Sequence, residues 1–321
     1  MIRQIQAIHA FFYAKNQINR YKQTNRCLWI IANVVTRISC YVLYCIFIIK
    51  KLFGIYPLPL TGDIPVIISM TSFPARINTV WMTVDCLFRQ TKSPSSVNLY
   101  LSSVEFPNRE KDLPKRLLGY ERLGLKIIFV EDNLRPHKKY YYAFNNQEKM
   151  SVVTVDDDLF YRNDIVERLW NLSMYSPDCI CANNGRLICF NNNGEVCNYS
   201  QWNNIEGNRN KGHEVVAIGF GGVLYPVAFQ NIMSTDVKVI KQICLNADDL
   251  WLKTNELLNN VYVLVDGYYP PPACIPNTSI SALQNKNRLS GESGNDLQWK
   301  KLDEKFHINE LLKKICYGQK N

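Results

Sequence analysis

Short apolar runs alternate with helical segments between residues 65 and 176, and this alternation constrains the fold more than any other feature of the sequence. The apolar runs, rich in β-branched residues, lie at 65–70, 97–101, 126–130 and 151–155. Segments with helical periodicity lie at 80–88, 113–123, 138–144 and 165–174. Strands that alternate with helices of this length are typical of βαβ units. The sequence therefore predicts an α/β fold with a Rossmann-like, mostly parallel sheet flanked by helices.

Positive charge is concentrated at the N-terminal end of the chain. The 321 residues include 37 Lys and Arg and 28 Asp and Glu, which gives a net charge of +9. Residues 1–62 hold eight of the basic residues and no acidic residue. Because the rest of the chain is nearly neutral, the sequence does not predict a nucleic-acid partner.

The segment 28–49 is mostly apolar, and 22 helical residues would span about 33 Å, which is enough for a bilayer. Arg37 near its middle disfavours a spanning helix. Five polar residues recur on one helical stripe: Arg26, Asn33, Arg37, Tyr44 and Lys51. This pattern favours an amphipathic helix in the membrane interface, with a spanning helix or a helix packed on the protein as alternatives. The predicted location is the cytoplasmic face of the cell membrane, peripheral or single-pass, with the membrane surface as a partner.

The Pro-containing run at 57–62 predicts a linker between two parts of the chain. Residues 1–62 are predicted to form the basic, membrane-associating segment and linker, and residues 63–321 a single domain. Further helices are predicted near 247–258 and 296–314. The eleven cysteines are odd in number and contain no CxxC spacing, so we expect reduced thiols and a reducing compartment.

Three consecutive carboxylates, Asp156, Asp157 and Asp158, follow directly after the apolar run 152–155. The C-terminal edge of an open α/β sheet, where such a run ends, is the usual place for a ligand. Adjacent carboxylates repel one another unless a cation neutralises them, and hard oxygen ligands favour Mg²⁺ or Mn²⁺ bound together with substrate phosphates. Alternation along the strand places Asp156 and Asp158 on one face, which makes these two the predicted metal ligands. The alternative is a solvated acidic turn that precedes a helix.

Five stretches in order resemble bacterial cell-surface-polysaccharide glycosyltransferases of the GT-A type, and more distantly the exostosin-like transferase domain. They are ISMTSFPAR (68–76), HKKYYY (137–142), VTVDDD (153–158), GGVLYP (221–226) and ADDLWLK (247–253). The resemblance covers about 65–258 and implies a GT-A catalytic domain at 63–321. Its nucleotide-binding half would be about 63–160, and its acceptor half about 161–321.

The resemblance implies a metal-dependent glycosyltransferase. Such an enzyme would move a hexosyl or N-acetylhexosaminyl group from a nucleotide sugar, with UDP as the expected nucleotide, to a lipid-linked or surface-polysaccharide acceptor. The implied donor-binding residues are Thr71, Ser72, Arg76, Asp132, Lys138, Lys139, Asp156, Asp157, Gly221 and Gly222. The basic residues among them would offset the negative charge of the diphosphate, although a solvated basic surface is the alternative for each of them.

A second acidic pair, Asp248 and Asp249, opens the predicted helix at 247–258, where the helix dipole alone could explain it. The resemblance implies a catalytic role, with Asp249 as the base of an inverting reaction and Asp248 in support. The exostosin-like similarity would instead imply a retaining reaction in which the carboxylates stabilise positive charge, so the stereochemistry stays open. Sugar contacts are considered for Trp202, His213 and Trp251, against simple packing, and a metal contact for His307, against a surface position.

Two other classes of protein compete with the glycosyltransferase. A sugar-phosphate nucleotidyltransferase would also use clustered aspartates and Mg²⁺, but it usually has a Gly- and Arg-rich phosphate loop, and residues 71–74 contain no glycine. A non-catalytic glycan-binding protein of the membrane surface would not need two carboxylate clusters. An aspartyl phosphatase needs Asp-x-Asp-x-Thr, and Phe160 occupies its last position.

Overall fold

The computed structural model of the chain describes residues 1–22, 25–145, 149–267, 269–278 and 294–317. Two helices, α1 (Ile2–Lys22) and α2 (Arg26–Leu52), precede the first strand. The strands of the described residues are β1 (Ile64–Thr71), β2 (Pro94–Ser102), β3 (Leu125–Val130), β4 (Ser151–Thr154), β5 (Leu159–Phe160), β6 (Ile180–Ala182), β7 (Gly185–Leu187), β8 (Asn203–Asn204), β9 (Arg209–Gly212), β10 (Val215–Ala217), β11 (Val223–Tyr225), β12 (Val263–Asp266) and β13 (Ala273–Cys274). The other helices are α3 (Val80–Leu87), α4 (Lys115–Leu118), α5 (Lys138–Phe144), α6 (Ile165–Tyr175), α7 (Val227–Ile232), α8 (Val237–Ile243), α9 (Asp248–Leu258), α10 (Gly294–Phe306) and α11 (Ile308–Tyr317).

The central sheet has eight strands in the order β3-β2-β1-β4-β11-β6-β12-β9. Its first four strands are mutually parallel, and β12 is parallel to β6. Strand β11 runs antiparallel to both β4 and β6, and β9 antiparallel to β12. Small sheets of three strands (β10-β7-β8) and two strands (β13-β5) flank it. The predicted α/β fold with a mostly parallel sheet flanked by helices is confirmed.

Both faces of the sheet are buried, as alternating side chains along β1 show. Val66, Ile68 and Met70 join a core cluster that includes residues of α2, α3 and α6. Ile67 points to a second cluster, which includes residues of α5, α9 and α10. Burial on both faces explains why the strands read as continuous apolar runs rather than as alternating patterns.

Two predicted helices differ from the observed ones. The segment 113–123 contains only the short helix α4 and a 3₁₀ turn at Glu121–Leu123, and it ends at Gly124 with a φ of 115°. The segment 296–314 is divided into α10 and α11 because His307 adopts a left-handed φ of 53°. In both places a left-handed residue ends the run of helical hydrogen bonds, as is common at helix ends.

The C-terminal half of α2 packs against the rest of the protein. Leu43 and Phe47 are fully buried in the first core cluster, and the Phe47 ring lies 5.1 Å from that of Phe160. Lys50 forms a buried ion pair with Asp85, whose other carboxylate oxygen accepts a 2.8 Å hydrogen bond from the Tyr120 hydroxyl. The boundary predicted at residue 62 therefore separates two parts of the sequence that share one core.

The opposite face of α2 is exposed and apolar. Within the described residues, α2 is the one helix long and apolar enough to cross a membrane, and 28% of its most apolar window is buried. Ile31, Val34, Ile38 and Tyr41 are all exposed along this face. Large exposed apolar patches mark contact surfaces, so this helix could serve as a membrane anchor.

Candidate active site

The three carboxylates 156–158 lie at the C-terminal edge of the parallel strands, beside the loop that follows β1. Strand β4 pairs with β1 over residues 151–154, and the Val155 amide extends this pairing by donating to the Ser69 carbonyl at 3.1 Å. Adjacent parallel strands end at the same edge of a sheet, so Ser72 and Arg76 after β1 come to face the loop after β4. This is the position that the sequence predicts for a ligand site.

Asp157 is buried and holds this loop together. Its Oδ2 accepts a 2.6 Å hydrogen bond from the Ser72 hydroxyl, and its Oδ1 lies 2.6 Å from Nη1 of Arg76. Thr83 donates to its backbone carbonyl at 3.0 Å. With 4% of its surface exposed and both carboxylate oxygens engaged, Asp157 holds the loop together, and its donor-binding role stays a prediction.

Asp158 forms an ion pair with the same Arg76 guanidinium as Asp157, but its side chain is more exposed to solvent. Its Oδ2 lies 3.0 Å from Nη2 of Arg76, and 18% of its side chain is exposed. Burial, and then the neighbouring charge of Asp157, raise the pKa of Asp158 to about 7. Burial and the neighbouring carboxylate therefore outweigh the charge of Arg76 in setting the pKa of Asp158.

Lys139 joins the two acidic clusters of the sequence. Its Nζ lies 2.9 Å from Oδ1 of Asp156 and 2.9 Å from Oδ2 of Asp248, and its side chain is 5% exposed. Burial by itself would lower the Lys139 pKa, but Asp156, Asp248 and Asp249 together raise it well above its usual value. Lys139 is therefore a fixed internal cation between the end of β4 and the start of α9.

Asp248 and Asp249 differ in protonation because only Asp248 has this close cation. Although burial opposes ionisation, the charge of Lys139 lowers the pKa of Asp248 below its ordinary value. Burial and the adjacent charge of Asp248 raise the pKa of Asp249 to about 8. The Gly219 amide lies 3.5 Å from Oδ2 of Asp249. One of the two carboxylates is thus held ionised, and the other titrates near neutral pH.

The turn Gly219–Gly221 passes directly over these charges. A Cβ atom on Gly219 would lie 3.1 Å from Nζ of Lys139 and 3.2 Å from Oδ1 of Asp249. A Cβ on Gly221 would overlap the Asn184 side chain, and Gly222 has a left-handed φ of 87°. Gly221 and Gly222 thus have a structural reason for lacking side chains, and their donor-binding role stays a prediction.

Charge and ligand type at the site suit a divalent cation that is also held by a substrate. Five carboxylates, at 156–158 and 248–249, face two close cations, Arg76 and Lys139. Among the described residues, no group of three or more His, Cys, Asp or Glu side chains could hold a metal by itself. Mg²⁺ and Mn²⁺ commonly take one or two carboxylates plus substrate phosphates, and Asp156 and Asp158 can provide that number.

Several predicted donor residues have their direct partners elsewhere. The Thr71 hydroxyl donates to the Tyr100 carbonyl at 2.8 Å. Lys138 is buried and pairs with Glu105 at 3.0 Å, whereas Asp132 is exposed and pairs with Lys241 at 2.8 Å. The structure therefore brings Ser72, Arg76, Lys139, Asp156 and Asp157 together but pairs neither Asp132 nor Lys138 with the acidic loop.

The aromatic and histidine candidates are placed by packing. Trp202 is buried with its ring 5.0 Å from Trp299, and the buried Trp251 ring lies 6.0 Å from Phe306. His213 is buried with its ring 4.2 Å from Tyr262. His307 lies at the break between α10 and α11, where its backbone amide donates to the Asp303 carbonyl.

Two residues of the site are missed by sequence reasoning. The Tyr161 hydroxyl accepts a 2.9 Å hydrogen bond from the Asp156 amide and so fixes the start of the acidic loop. Nothing in its spacing distinguishes this tyrosine from other core aromatics. Gly219 does carry a sequence signal, because it begins the Gly-Phe-Gly-Gly run whose last two glycines, Gly221 and Gly222, are predicted donor-binding residues.

Comparisons with known proteins find solved structures with a similar fold, but no matching family model and no matching curated protein. One similar solved structure is 4-diphosphocytidyl-2C-methyl-D-erythritol synthase from Anaerococcus prevotii, with a TM-score of 0.40 and 10% identity, covering 67% of this chain and 94% of that one. Another is S. aureus TarS 1–349 in complex with UDP, with a TM-score of 0.41 and 13% identity, covering 64% of this chain and 59% of that one.

Proposed function

We propose that the protein is a metal-dependent glycosyltransferase that uses a nucleotide sugar, with UDP as the expected nucleotide. The observation that carries this proposal is the meeting of two carboxylate clusters around Lys139 at the C-terminal edge of the parallel strands. Glycosyl transfer needs both kinds of group in one cleft: oxygen ligands for a cation that holds a diphosphate, and a carboxylate near the reacting sugar.

The donor side consists of Asp156 and Asp158, which would hold Mg²⁺ or Mn²⁺ together with the diphosphate. When bound, the cation supplies positive charge that stabilises the leaving nucleoside diphosphate. Arg76 holds Asp157 and Asp158 in place, and its side chain is 10% exposed and directed at these carboxylates. Its contribution is therefore to shape the acidic loop, with Ser72 and Asp157 as its partners.

The acceptor side consists of Asp248 and Asp249 at the first turn of α9. As a base, Asp249 takes the proton of the acceptor hydroxyl while that oxygen attacks the anomeric carbon and the diphosphate leaves. A pKa raised to about 8 suits this task, because a base works best with a pKa near the working pH. Lys139 keeps Asp248 ionised, and Asp248 in turn keeps the pKa of Asp249 high.

We further propose a lipid-linked or surface-polysaccharide acceptor and attachment to the cytoplasmic face of the membrane. The exposed apolar face of α2 supports the attachment. Exposed basic residues at its two ends, Arg26 and Lys51, suit anionic headgroups. An enzyme held at the membrane would meet a lipid-linked acceptor at high local concentration.

A substrate screen separates this proposal from its competitors. The full chain, purified in detergent, is incubated with a panel of UDP-sugars with Mn²⁺ or EDTA, and released UDP is measured. We expect slow UDP release from one donor, dependent on Mn²⁺ and faster when the lipid-linked acceptor is added. Pyrophosphate release from a nucleoside triphosphate plus a sugar phosphate would instead identify a nucleotidyltransferase. No turnover of either kind, with sugar binding retained, would identify a glycan-binding protein.

A further inference from the structure

A cavity of about 500 Å³ lies between the N-terminal helices and the rest of the protein, and none of the carboxylates of the candidate active site lines it. Its floor is buried and largely apolar, and includes Phe47, Cys86 and Tyr161. Its rim includes the exposed residues Met1 and Ile55. The volume lies in the range of roughly 300 to 1,000 Å³ that is typical of small-ligand sites.

The charged residues of the cavity wall are all cationic. Arg3, Lys50 and Arg89 line it, and the lining contains no carboxylate. Lys50 and Arg89 share the single carboxylate of Asp85 behind the wall, and Arg89 keeps more than a third of its side chain exposed. Arg3 is exposed and forms no ion pair or hydrogen bond with the described part of the chain. The site thus has an apolar interior and a positively charged rim, which together suit an anionic amphiphile.

The position of the cavity relative to α2 indicates where such a molecule comes from. The cavity is lined by residues at the end of α2, Ile46 to Lys50, whereas the exposed apolar residues Leu28 to Ile31 lie at its beginning. Beside the cavity, Ile49, Leu52 and Phe53 are also exposed, so the exposed apolar face of α2 continues to the rim of the cavity. A helix that lies in the membrane interface along this face places the rim at the level of the lipid phosphates.

From these observations we infer that the cavity binds one anionic membrane phospholipid. An acyl chain would occupy the apolar interior against Phe47 and Ile46, and the phosphate would lie at the rim near Arg3 and Arg89. Such a lipid would act as part of the contact between the N-terminal helices and the α/β domain. Of the cavity residues, Tyr161 also contacts the acidic loop, through its hydroxyl and the Asp156 amide, so the test measures bound lipid rather than turnover.

The test measures lipid retained by the full chain. Protein purified in detergent is incubated with vesicles of phosphatidylglycerol or of phosphatidylcholine, isolated again, and its phospholipid is quantified by mass spectrometry. We expect about one phosphatidylglycerol per chain and clearly less phosphatidylcholine, because the cationic rim distinguishes the two headgroups.

Three variants locate the lipid. Arg3→Glu reverses a charge at the rim and should lower phosphatidylglycerol retention roughly 30-fold, since it changes two units of charge at about 1 kcal/mol each. Ile46→Trp fills the interior and should have a similar effect. Arg37→Glu makes the same charge reversal on an exposed position of α2 outside the cavity, and it should leave retention unchanged. Thermal melting checks that each variant is folded.

Some outcomes would overturn the inference. Equal retention of both lipids, or loss of lipid in Arg37→Glu as large as in Arg3→Glu, would show general attraction to a charged surface instead of a site. Retention unchanged by Arg3→Glu, which disturbs no partner in the fold, would also exclude it. Since no turnover is measured, these outcomes are separate from a failure of the proposed glycosyl transfer.

Discussion

At the scale of single residues, three neighbouring carboxylates of the same chemical type have three different environments. Asp157 is buried and bonded to both Ser72 and Arg76, and Asp158 forms an ion pair with the same arginine. Asp156 forms an ion pair with Lys139 and has 35% of its side chain exposed. Asp157 is thereby committed to holding the loop, whereas Asp156 and Asp158 remain available for a cation. These three aspartates therefore differ in what they can bind because their surroundings differ, although their side chains are identical.

Asp158→Asn is expected to abolish metal-dependent turnover while the protein stays folded. The substitution keeps the volume of the side chain but removes a charge that a divalent cation needs. UDP release is measured with Mn²⁺ and with EDTA, and Asp178→Asn, at an exposed aspartate, is the matched control. Full activity of Asp158→Asn, or of the wild type in EDTA, would contradict the metal assignment.

Asp249→Asn is expected to lower kcat by roughly 10² to 10⁴, the usual contribution of a general base. Donor affinity should change little, because the base acts in the transition state. Turnover and donor binding are measured on the same preparation. If the variant loses donor affinity but retains turnover, Asp249 belongs to the donor pocket. If it only lowers the melting temperature, its role is to begin the helix.

Metal-free protein is expected to lose stability as the pH rises from about 5 to 8. Burial and Asp248 raise the folded-state pKa of Asp249 to about 8, and burial and Asp157 raise that of Asp158 to about 7. Because the folded state binds more protons than the unfolded state in this range, the free energy of unfolding falls with rising pH. Melting temperatures in EDTA should decline less steeply for Asp249→Asn, and equal slopes for both proteins would argue against the raised pKa.

At the scale of secondary-structure elements, α2 has two different faces with two different tasks. Phe47 and Lys50 bind it to the α/β domain, whereas Ile31 and Ile38 on other sides of the helix are exposed. A second attachment comes from α1, where the Gln6 amide donates to the carbonyls of Phe160 and Tyr161. The N-terminal helices are thus held against the ribbon β5-β13 that directly follows the acidic loop.

Lys50→Met is expected to destabilise the protein by about 3 kcal/mol, the lower end for removing one partner of a buried ion pair. The lower end applies because Arg89 and Tyr120 still contact the buried Asp85. Thermal melting in detergent measures the change. Lys51→Met is the matched control, since Lys51 is the neighbouring lysine and is exposed. Equal melting temperatures for the two variants would show that the pair is not stabilising.

At the scale of the whole molecule, the apolar exposed surface of α2 and the acidic loop at 156–158 belong to one folded unit. The core cluster that receives Leu43 and Phe47 also contains Val155, which leads into the acidic loop, and Leu159 and Phe160, which follow it. Attachment to a membrane through α2 would therefore fix the position of the acidic loop relative to the bilayer. Deleting residues 1–53 would remove part of this core as well as the exposed apolar face of α2.

The double variant Ile31→Glu with Ile38→Glu is expected to move the protein from the membrane fraction to the soluble fraction. Both side chains are at least half exposed, so stability should be nearly unchanged while the apolar surface is interrupted by charge. Fractionation of cell lysates and UDP release from the purified variant are measured together. A wild-type protein found in the soluble fraction would contradict membrane attachment.

The sequence by itself determined the α/β class and the place of the first acidic cluster. Both follow from local physics: apolar runs of strand length form buried strands, and carboxylates that follow such a run must lie at the strand's end. The amphipathic segments at 165–174 and 247–258 likewise form helices close to the predicted bounds.

Only the tertiary structure decided which charges meet. Lys139, Asp156 and Asp248 are up to 109 positions apart in the chain, and no local pattern states that one ammonium group contacts both carboxylates. The same holds for the ion pair of Lys50 and Asp85. It joins α2, which the sequence predicts as part of a separate membrane-associating segment, to the core of the α/β domain. Long-range pairs depend on how the strands are ordered in the sheet, and that order is set by the packing of the whole chain rather than by any segment of it.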